Sequence, residues 1–221
     1  MACANKMARF HASDLYVVIT EAFCGGRPSE EVLDAVLDAG ITLVQLREKD
    51  LDARAYIEKA ILFRDRTLDA GALLIVNDRM DIALAIGADG VHLGQSDLPI
   101  EAARGLSHEL LIGASTHSLA QALGAQAAGA DYVNIGPIFP TQTKELATGI
   151  VGPEMIDTIA PHLTIPFSCM GGIKLGNIDE VLRRGARHPA VVTAVTSAPD
   201  VRAAAEELRA AIADVARASR P

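Results

Sequence analysis

The sequence predicts a single domain that folds as a parallel (β/α)8 barrel. Three observations predict it: eight short apolar runs, amphipathic helical patterns between them, and glycines where helical patterns give way to apolar runs. The 221 residues fit one TIM barrel, whereas a doubly wound sheet usually has fewer strands or more residues. Residues 1–14 are interpreted as a short N-terminal extension and residues 15–218 as the barrel.

The strands are predicted from runs that are apolar throughout, which is typical of strands buried on both faces. In chain order the runs are LYVVIT, ITLVQL, LLIV, DGVHL, LLIGA, DYVNI, TIPFSC and AVVTAV. A glycine precedes five of them and suits the left-handed position that ends a helix, where a Cβ would be strained. These glycines are Gly40, Gly71, Gly87, Gly129 and Gly185.

The helices are predicted from apolar residues that recur with helical spacing. The first helix of the barrel begins at Ser29, with Glu30 and Glu31 in its first turn, as expected near a helix N-terminus. The apolar positions are Val32, Leu33, Val36 and Leu37 in this helix, and Val201, Ala205, Leu208, Ile212 and Val215 in the last one. Each set forms one face that can pack on the strands.

Composition excludes several classes of function. The formal net charge is −8, and no Lys or Arg run offers the clustered basic surface that nucleic acid requires. The apolar stretches are too short for a membrane span and the N-terminus has no signal-peptide pattern, which predicts a cytoplasmic protein. Cys3, Cys24 and Cys169 have no CxxC spacing and are interpreted as reduced thiols. The pattern leaves the oligomeric state open and is compatible with a homo-oligomer.

Polar residues follow the predicted strands, at the end of a β/α barrel where reactive groups lie. After the second strand, Gln45, Arg47 and Lys49 alternate and can project together. Two cations on one wall would attract an anion. The alternative is a surface ion-pair patch with Glu48.

Two carboxylates follow the third and fourth strands. Asp78 and Asp97 are hard oxygen ligands on neighbouring strand ends, which is the arrangement that holds Mg²⁺ while substrate phosphates complete its shell. The alternative is that each caps the helix that follows it. The pairing favours the metal site.

The seventh and eighth strands end in residues that suit phosphate. Gly171-Gly172 and the backbone beside Val192 and Thr193 lie where many barrels bind phosphate through main-chain N–H groups, although a Gly-Gly pair alone is more often a turn. His92 is interpreted as a hydrogen-bonded supporting group. Ser115 has no visible His-Asp partners, so no nucleophile is predicted.

The ordered segments QLREK, NDR, HLGQSD, GAS, GPIFPTQTK, GGI and VVT resemble those of the thiamine phosphate synthases. The resemblance runs from Tyr16 to Ala198. It implies a transferase that couples two small molecules, 4-amino-2-methyl-5-hydroxymethylpyrimidine diphosphate and a thiazole phosphate, carboxylated or not. The products are thiamine phosphate and pyrophosphate.

The resemblance also implies which residues act. One Mg²⁺ per active site would be held by Asp78 and Asp97, and the catalytic residues would be Arg47, Lys49, Ser115 and Lys144. The residues implied for the pyrimidine diphosphate are Gln45, Arg47, Lys49, Asn77, Ser115 and Lys144. Those implied for the thiazole phosphate are Thr141, Thr143, Gly172, Val192 and Thr193.

The chain departs from the family pattern near the eighth strand. It has Gly185-Ala186-Arg187-His188-Pro189 where Gly-Ala-Asp-Gly is usual, and Thr193 where Ser is usual. Two other functions stay open at this point: a thiazole tautomerase, and a non-catalytic barrel that senses a thiazole phosphate. Neither needs the two carboxylates or the QLREK segment.

Overall fold

Eight parallel strands close into a barrel in the order of the sequence, each hydrogen-bonded to the next and β8 to β1. The computed structural model describes residues 2–141, 143 and 149–218. The strands are β1 Tyr16–Ile19, β2 Leu43–Leu46, β3 Leu73–Asn77, β4 Gly90–Leu93, β5 Leu111–Thr116, β6 Tyr132–Ile135, β7 Phe167–Met170 and β8 His188–Val191. The predicted fold class is therefore confirmed.

The helices alternate with the strands and surround them. Those described are α1 Ala2–Ala12, α2 Ser29–Asp38, α3 Ala53–Asp69, α4 Met80–Ala85, α5 Ile100–Leu106, α6 Leu119–Ala127, α7 Glu154–Ile159, α8 Ile178–Arg183, α9 Thr193–Thr196 and α10 Val201–Ala218. Their apolar faces pack on the outside of the barrel together with outward strand residues such as Val44 and Leu74. Among the described residues, none of these helices is long and apolar enough to cross a membrane.

One boundary differs from the sequence predictions. β8 begins at His188, pairs Pro189 with Cys169 and ends at Val191, whereas the sequence predicted a strand in the AVVTAV run that ends at Val192-Thr193. The β-branched residues after Val191 favour a strand locally, but they leave the barrel and form the short helix α9. Helix α2 begins at Ser29 as predicted, with Pro28 at the cap position.

A second cluster of side chains fills the inside of the barrel. Successive strand residues point to opposite faces, and the inward set includes Tyr16, Ile75 and Tyr132. Gly113 makes room for Tyr132, since a Cβ at Gly113 would lie 2.1 Å from the Tyr132 Cζ.

Helix α1 packs against the N-terminal end of the strands. The Phe10 side chain is fully buried, with its ring centroid 4.7 Å from those of both Tyr132 and His188. Burial lowers the pKa of His188 to about 4, and His11 acts in the same direction. Phe10 and the neutral His188 therefore close the barrel interior at this end, which leaves the opposite end for a ligand.

Candidate active site

The polar segment after β2 contributes cations to the open end of the barrel. Lys49 pairs with Asp78, which follows β3, and Arg47 is half-buried at the end of β2. Glu48 instead pairs with Lys59, 3.5 Å away, and accepts from the Glu21 amide at 3.1 Å. The alternative of a local patch between Glu48 and its two flanking cations is therefore wrong, because Glu48 points to the helix side.

The two predicted metal ligands lie together. The pKa of Asp97 is raised by partial burial and next by the neighbouring Asp78 carboxyl group, against a lowering by the Gly94 amide. That amide donates to Asp97 Oδ2 at 2.7 Å. Two carboxylates this close repel each other when both are ionised, so the site favours a proton or a cation between them.

Neither carboxylate is a helix cap. Helix α4 has Arg79 at its cap position and α5 has Pro99, and neither helix receives a side-chain cap hydrogen bond. Asp78 has a φ of 59°, a left-handed conformation that is uncommon for residues other than glycine and clusters at functional sites. The tertiary arrangement thus aims both side chains at the barrel mouth rather than at the helices behind them.

The two carboxylates fit a Mg²⁺ ion that is bound jointly by the protein and a substrate. Carboxylate oxygens are the ligands that Mg²⁺ prefers, and it usually takes one or two from the protein and others from phosphates and water. Within the described residues, no group of three or more His, Cys, Asp or Glu side chains could hold a metal by itself. The pair is therefore incomplete without oxygens from another molecule.

A chain of hydrogen bonds crosses the interior below the mouth. Gln45 Nε2 donates to the Tyr16 hydroxyl at 2.6 Å, and this hydroxyl lies 3.1 Å from that of Tyr132. His92 connects the Tyr132 hydroxyl, 3.1 Å from its Nδ1, to Ser115 Oγ, 2.9 Å from its Nε2. His92 is thus hydrogen-bonded through both ring nitrogens, as its interpretation as a supporting group requires. Burial raises the pKa of Tyr16 and of Tyr132, so both remain neutral phenols.

The glycine and threonine residues predicted for phosphate line one cavity of about 700 Å³ between the ends of β6, β7 and β8. Its walls include Thr141, Thr143, Gly172 and Thr193, and a smaller adjoining cavity adds Val192. Gly172 has a φ of +61°, and a Cβ there would lie 2.3 Å from the Pro140 carbonyl oxygen. The two loops therefore approach each other so closely that only glycine fits.

Contacts from the loop after β1 hold α9 beside this cavity. Arg27 donates to the carbonyl oxygens of Thr196 at 3.2 Å and Ala198 at 2.7 Å. The Thr196 hydroxyl donates to the Phe23 carbonyl oxygen at 2.6 Å. Phe23 itself lines the cavity. The position of α9 thus depends on residues far away in sequence.

Sequence reasoning missed several residues that the fold brings to this end. Lys174 follows Gly172-Ile173 and lines the large cavity, and its place directly after the seventh strand was a usable signal. Phe23 and Ser197 also line it, but they belong to segments without a polar motif. Asn134 and Ser168 point inward and lie inside predicted strands, where a single polar residue attracts no notice.

Lys144, predicted to be catalytic, lies outside the described residues, as does Gln142.

Comparisons with known proteins identify relatives over most of the chain. The family model described as thiamine monophosphate synthase matches residues 15–195. A thiamine-phosphate synthase of Chloroflexus aurantiacus is 47% identical over 198 residues, which are 90% of this chain and 92% of the relative. One of Pelotomaculum thermopropionicum is 43% identical over 201 residues, which are 90% of this chain and 92% of the relative.

A solved structure has the same fold at similar identity. The thiamine phosphate pyrophosphorylase of Pyrococcus furiosus superposes with a TM-score of 0.86 at 39% identity, over 94% of this chain and 98% of that protein.

Proposed function

The chain belongs to the thiamine monophosphate synthase family, and we propose that the mouth of its barrel couples an aminopyrimidine diphosphate with a thiazole phosphate. The products are thiamine phosphate and pyrophosphate, and the enzyme is a transferase. One observation supports this most directly: two carboxylates beside a lysine and a separate glycine- and threonine-lined cavity open at the same end of one barrel. A coupling reaction needs such paired sites, one for each substrate.

The first part of the site suits the diphosphate. Asp78 and Asp97 would hold a single Mg²⁺, which when bound neutralises charge on the diphosphate. Arg47 and Lys49 lie at the neighbouring strand end and would stabilise negative charge as pyrophosphate departs. Lys144 has the same proposed role. Gln45, Asn77 and Ser115 would contact the same substrate.

The second part suits the thiazole phosphate. Thr141, Thr143, Gly172, Val192 and Thr193 would hold its phosphate, with backbone N–H groups as the main donors. Thr193 keeps a hydroxyl where the family usually has Ser, and Pro189 lies upstream in β8. Both departures from the family pattern are therefore compatible with binding through the backbone.

The reaction needs no side chain that forms a covalent bond. The bond between the pyrimidine methylene carbon and the diphosphate oxygen breaks, and its electron pair leaves with pyrophosphate. The amino-substituted ring spreads the positive charge, and the thiazole nitrogen then attacks the carbon with its own lone pair. Residues of the mouth bind, orient and exclude water. The hydroxyl of Ser115 therefore needs no role as a nucleophile. Its Oγ is one end of the buried hydrogen-bond chain that includes His92.

A coupled assay tests the proposal. The purified protein is incubated with the pyrimidine diphosphate, the thiazole phosphate and Mg²⁺, and thiamine phosphate is detected after oxidation to its fluorescent thiochrome. We expect product, and we expect it to vanish with EDTA and to return when excess Mg²⁺ is added. The absence of product in protein that binds thiazole phosphate would contradict coupling and favour the tautomerase or sensor functions. Product that survives EDTA would contradict the metal assignment.

Lys174 provides a further prediction for the thiazole site. It places an exposed cation on the cavity wall beside Gly172 and Thr193, and an exposed charge pair contributes up to about 1 kcal/mol. Lys174→Gln should therefore raise the KM for thiazole phosphate several-fold and leave the KM for the pyrimidine diphosphate unchanged. The difference from the wild type should shrink as salt is added.

Arg183→Gln is the matched control, because Arg183 is an exposed cation on α8 whose partner is Asp179. It makes the same change in net charge away from the cavity and should leave both KM values unchanged. An equal rise in KM in the two variants would show a general effect of charge and not a contact of Lys174.

A further inference from the structure

The inner wall of the barrel carries a buried polar residue that the proposed function does not use. Asn134 follows Tyr132 by two residues in β6, so its side chain points into the barrel as that of Tyr132 does. Asn134 is 6% exposed, and its Oδ1 has no hydrogen-bond partner among the residues that the structure describes. Burying such an acceptor without a partner is costly, and few native groups are left in this state.

Four further buried side-chain atoms share this condition among the described residues, and the two that concern us lie on inward-facing strand residues away from α1. They are Nδ2 of Asn77, at the end of β3, and Oγ of Ser168, in β7. Asn134 is paired in register with Ser115 on one side and with Ser168 on the other. Ser115 and Asn77 belong to the set proposed for the pyrimidine diphosphate. Asn134 therefore lies next to Ser115 and Ser168 on the inner wall, and Asn77 belongs to β3, three strands away in the barrel.

The chemistry of the three atoms matches one edge of an aminopyrimidine. They are a carbonyl acceptor, an amide donor and a hydroxyl that can do either. The ring offers an exocyclic amino group, which donates, and ring nitrogens, which accept. Asn side chains read such an edge in adenine in the same way. The amide nitrogen of Gln45, which also lies in the barrel interior, already donates to the Tyr16 hydroxyl.

We propose that Asn134 is a specificity-determining residue that accepts a hydrogen bond from the exocyclic amino group of the pyrimidine through Oδ1. The Asn77 amide nitrogen and the Ser168 hydroxyl donate hydrogen bonds to the ring nitrogens. This inference rests on the proposed function. As the bond to the diphosphate breaks, the electron pair leaves with pyrophosphate and positive charge spreads into the amino group. An oxygen acceptor at that position binds the transition state more tightly than the ground state, because the N–H groups become more acidic.

The test begins with Asn134→Ala and Asn134→Asp in steady-state kinetics, with each substrate varied in turn. We expect Asn134→Ala to lower kcat/KM for the pyrimidine diphosphate about 10- to 100-fold, the range for a lost hydrogen bond to a group that becomes charged, without a change in KM for thiazole phosphate. Asn134→Asp keeps an oxygen acceptor and should recover part of the loss. A rise in KM for thiazole phosphate as large as that for the pyrimidine diphosphate, or no loss in Asn134→Ala, would overturn the inference.

A binding measurement makes the inference independent of turnover. Calorimetry compares the pyrimidine diphosphate with inorganic pyrophosphate, each with Mg²⁺ and without thiazole phosphate. The two probes share the diphosphate and differ in the ring. We expect Asn134→Ala to weaken only the ring-bearing probe. Equal affinities of the wild type and the variant for the pyrimidine diphosphate would contradict the role of Asn134, even where coupling is observed. Ring-selective weakening in a protein that does not couple would support the role of Asn134 and would contradict only the proposed reaction.

Thr116→Val is the matched control. The Thr116 hydroxyl is also buried, but it is satisfied inside the protein by the Asn134 carbonyl oxygen at 3.1 Å. This variant should lower the melting temperature and leave both probes with wild-type affinity. Ring-selective weakening in Thr116→Val as well would show that any disturbance of this stretch has the effect, and would overturn the assignment to Asn134.

Discussion

Replacing Asp78 and Asp97 together by Asn is expected to abolish coupling while the protein still binds thiazole phosphate. The two carboxylates are the proposed ligands of Mg²⁺, and the raised pKa of Asp97 reflects partial burial and the nearness of Asp78. A metal that stabilises a departing phosphate contributes several kcal/mol, which corresponds to a rate loss of about a thousandfold or more. The thiochrome assay measures the loss, and calorimetry with thiazole phosphate measures the binding that remains.

Asp81→Asn is the control for this pair. Asp81 is an exposed carboxylate three residues after Asp78, and its partner is Arg79. Coupling should stay near the wild-type rate because Asp81 points to solvent. If the double variant coupled as fast as the wild type, Asp78 and Asp97 would not be metal ligands. If it lost thiazole phosphate binding as well, the two halves of the mouth would not be the separate sites that we propose.

Gly172→Ala is expected to lower kcat/KM for thiazole phosphate about 100-fold, the cost of moving a positioning group by about 1 Å. The new Cβ would lie 2.3 Å from the Pro140 carbonyl oxygen and 2.9 Å from the Phe139 Cβ. The first obstacle is backbone, which cannot rotate away, and the φ of +61° is itself strained for any residue with a Cβ. The loop must therefore shift, and the N–H groups that we propose to bind phosphate shift with it. Kinetics with each substrate varied check this.

Gly176→Ala provides the comparison within the same segment. A Cβ at Gly176 meets nothing within 4 Å, and its φ is not in the left-handed region. We expect wild-type kinetics from this variant. A loss in Gly172→Ala that affected only the pyrimidine diphosphate would contradict the assignment of Gly172 to the thiazole phosphate.

Much of the candidate site could be predicted from the sequence because polar segments directly follow the apolar runs. Side chains at the ends of parallel strands in a closed barrel must meet at one end, whatever the details of packing. This is why Asp78 and Asp97 could be paired, and why Gly172 and Thr193 could be expected to line one cavity. Lys174 lay within reach of the same reasoning, because it follows the seventh strand directly.

Alternation could not identify Asn134. A single polar residue in the run YVNI does not change the prediction of an apolar strand. Asn134 becomes a candidate only when the hydrogen-bond partners of its side chain are known from the structure. The same limit affected β8, where the AVVTAV run has strong local preference for a strand but leaves the barrel after Val191. Local preference extends over a few residues, whereas the end of a strand is decided by its neighbours in the sheet.

The sequence by itself determined the barrel, the order of its strands and the end at which its polar residues gather, because these follow from periodicity and chain connectivity. Only the tertiary structure decided that Glu48 turns to Lys59, that Arg27 fixes α9 and that Tyr16, Tyr132 and His92 form one buried chain. Each of these contacts joins residues from different strands and loops. Their geometry depends on the register and closure of the whole barrel, which no segment contains.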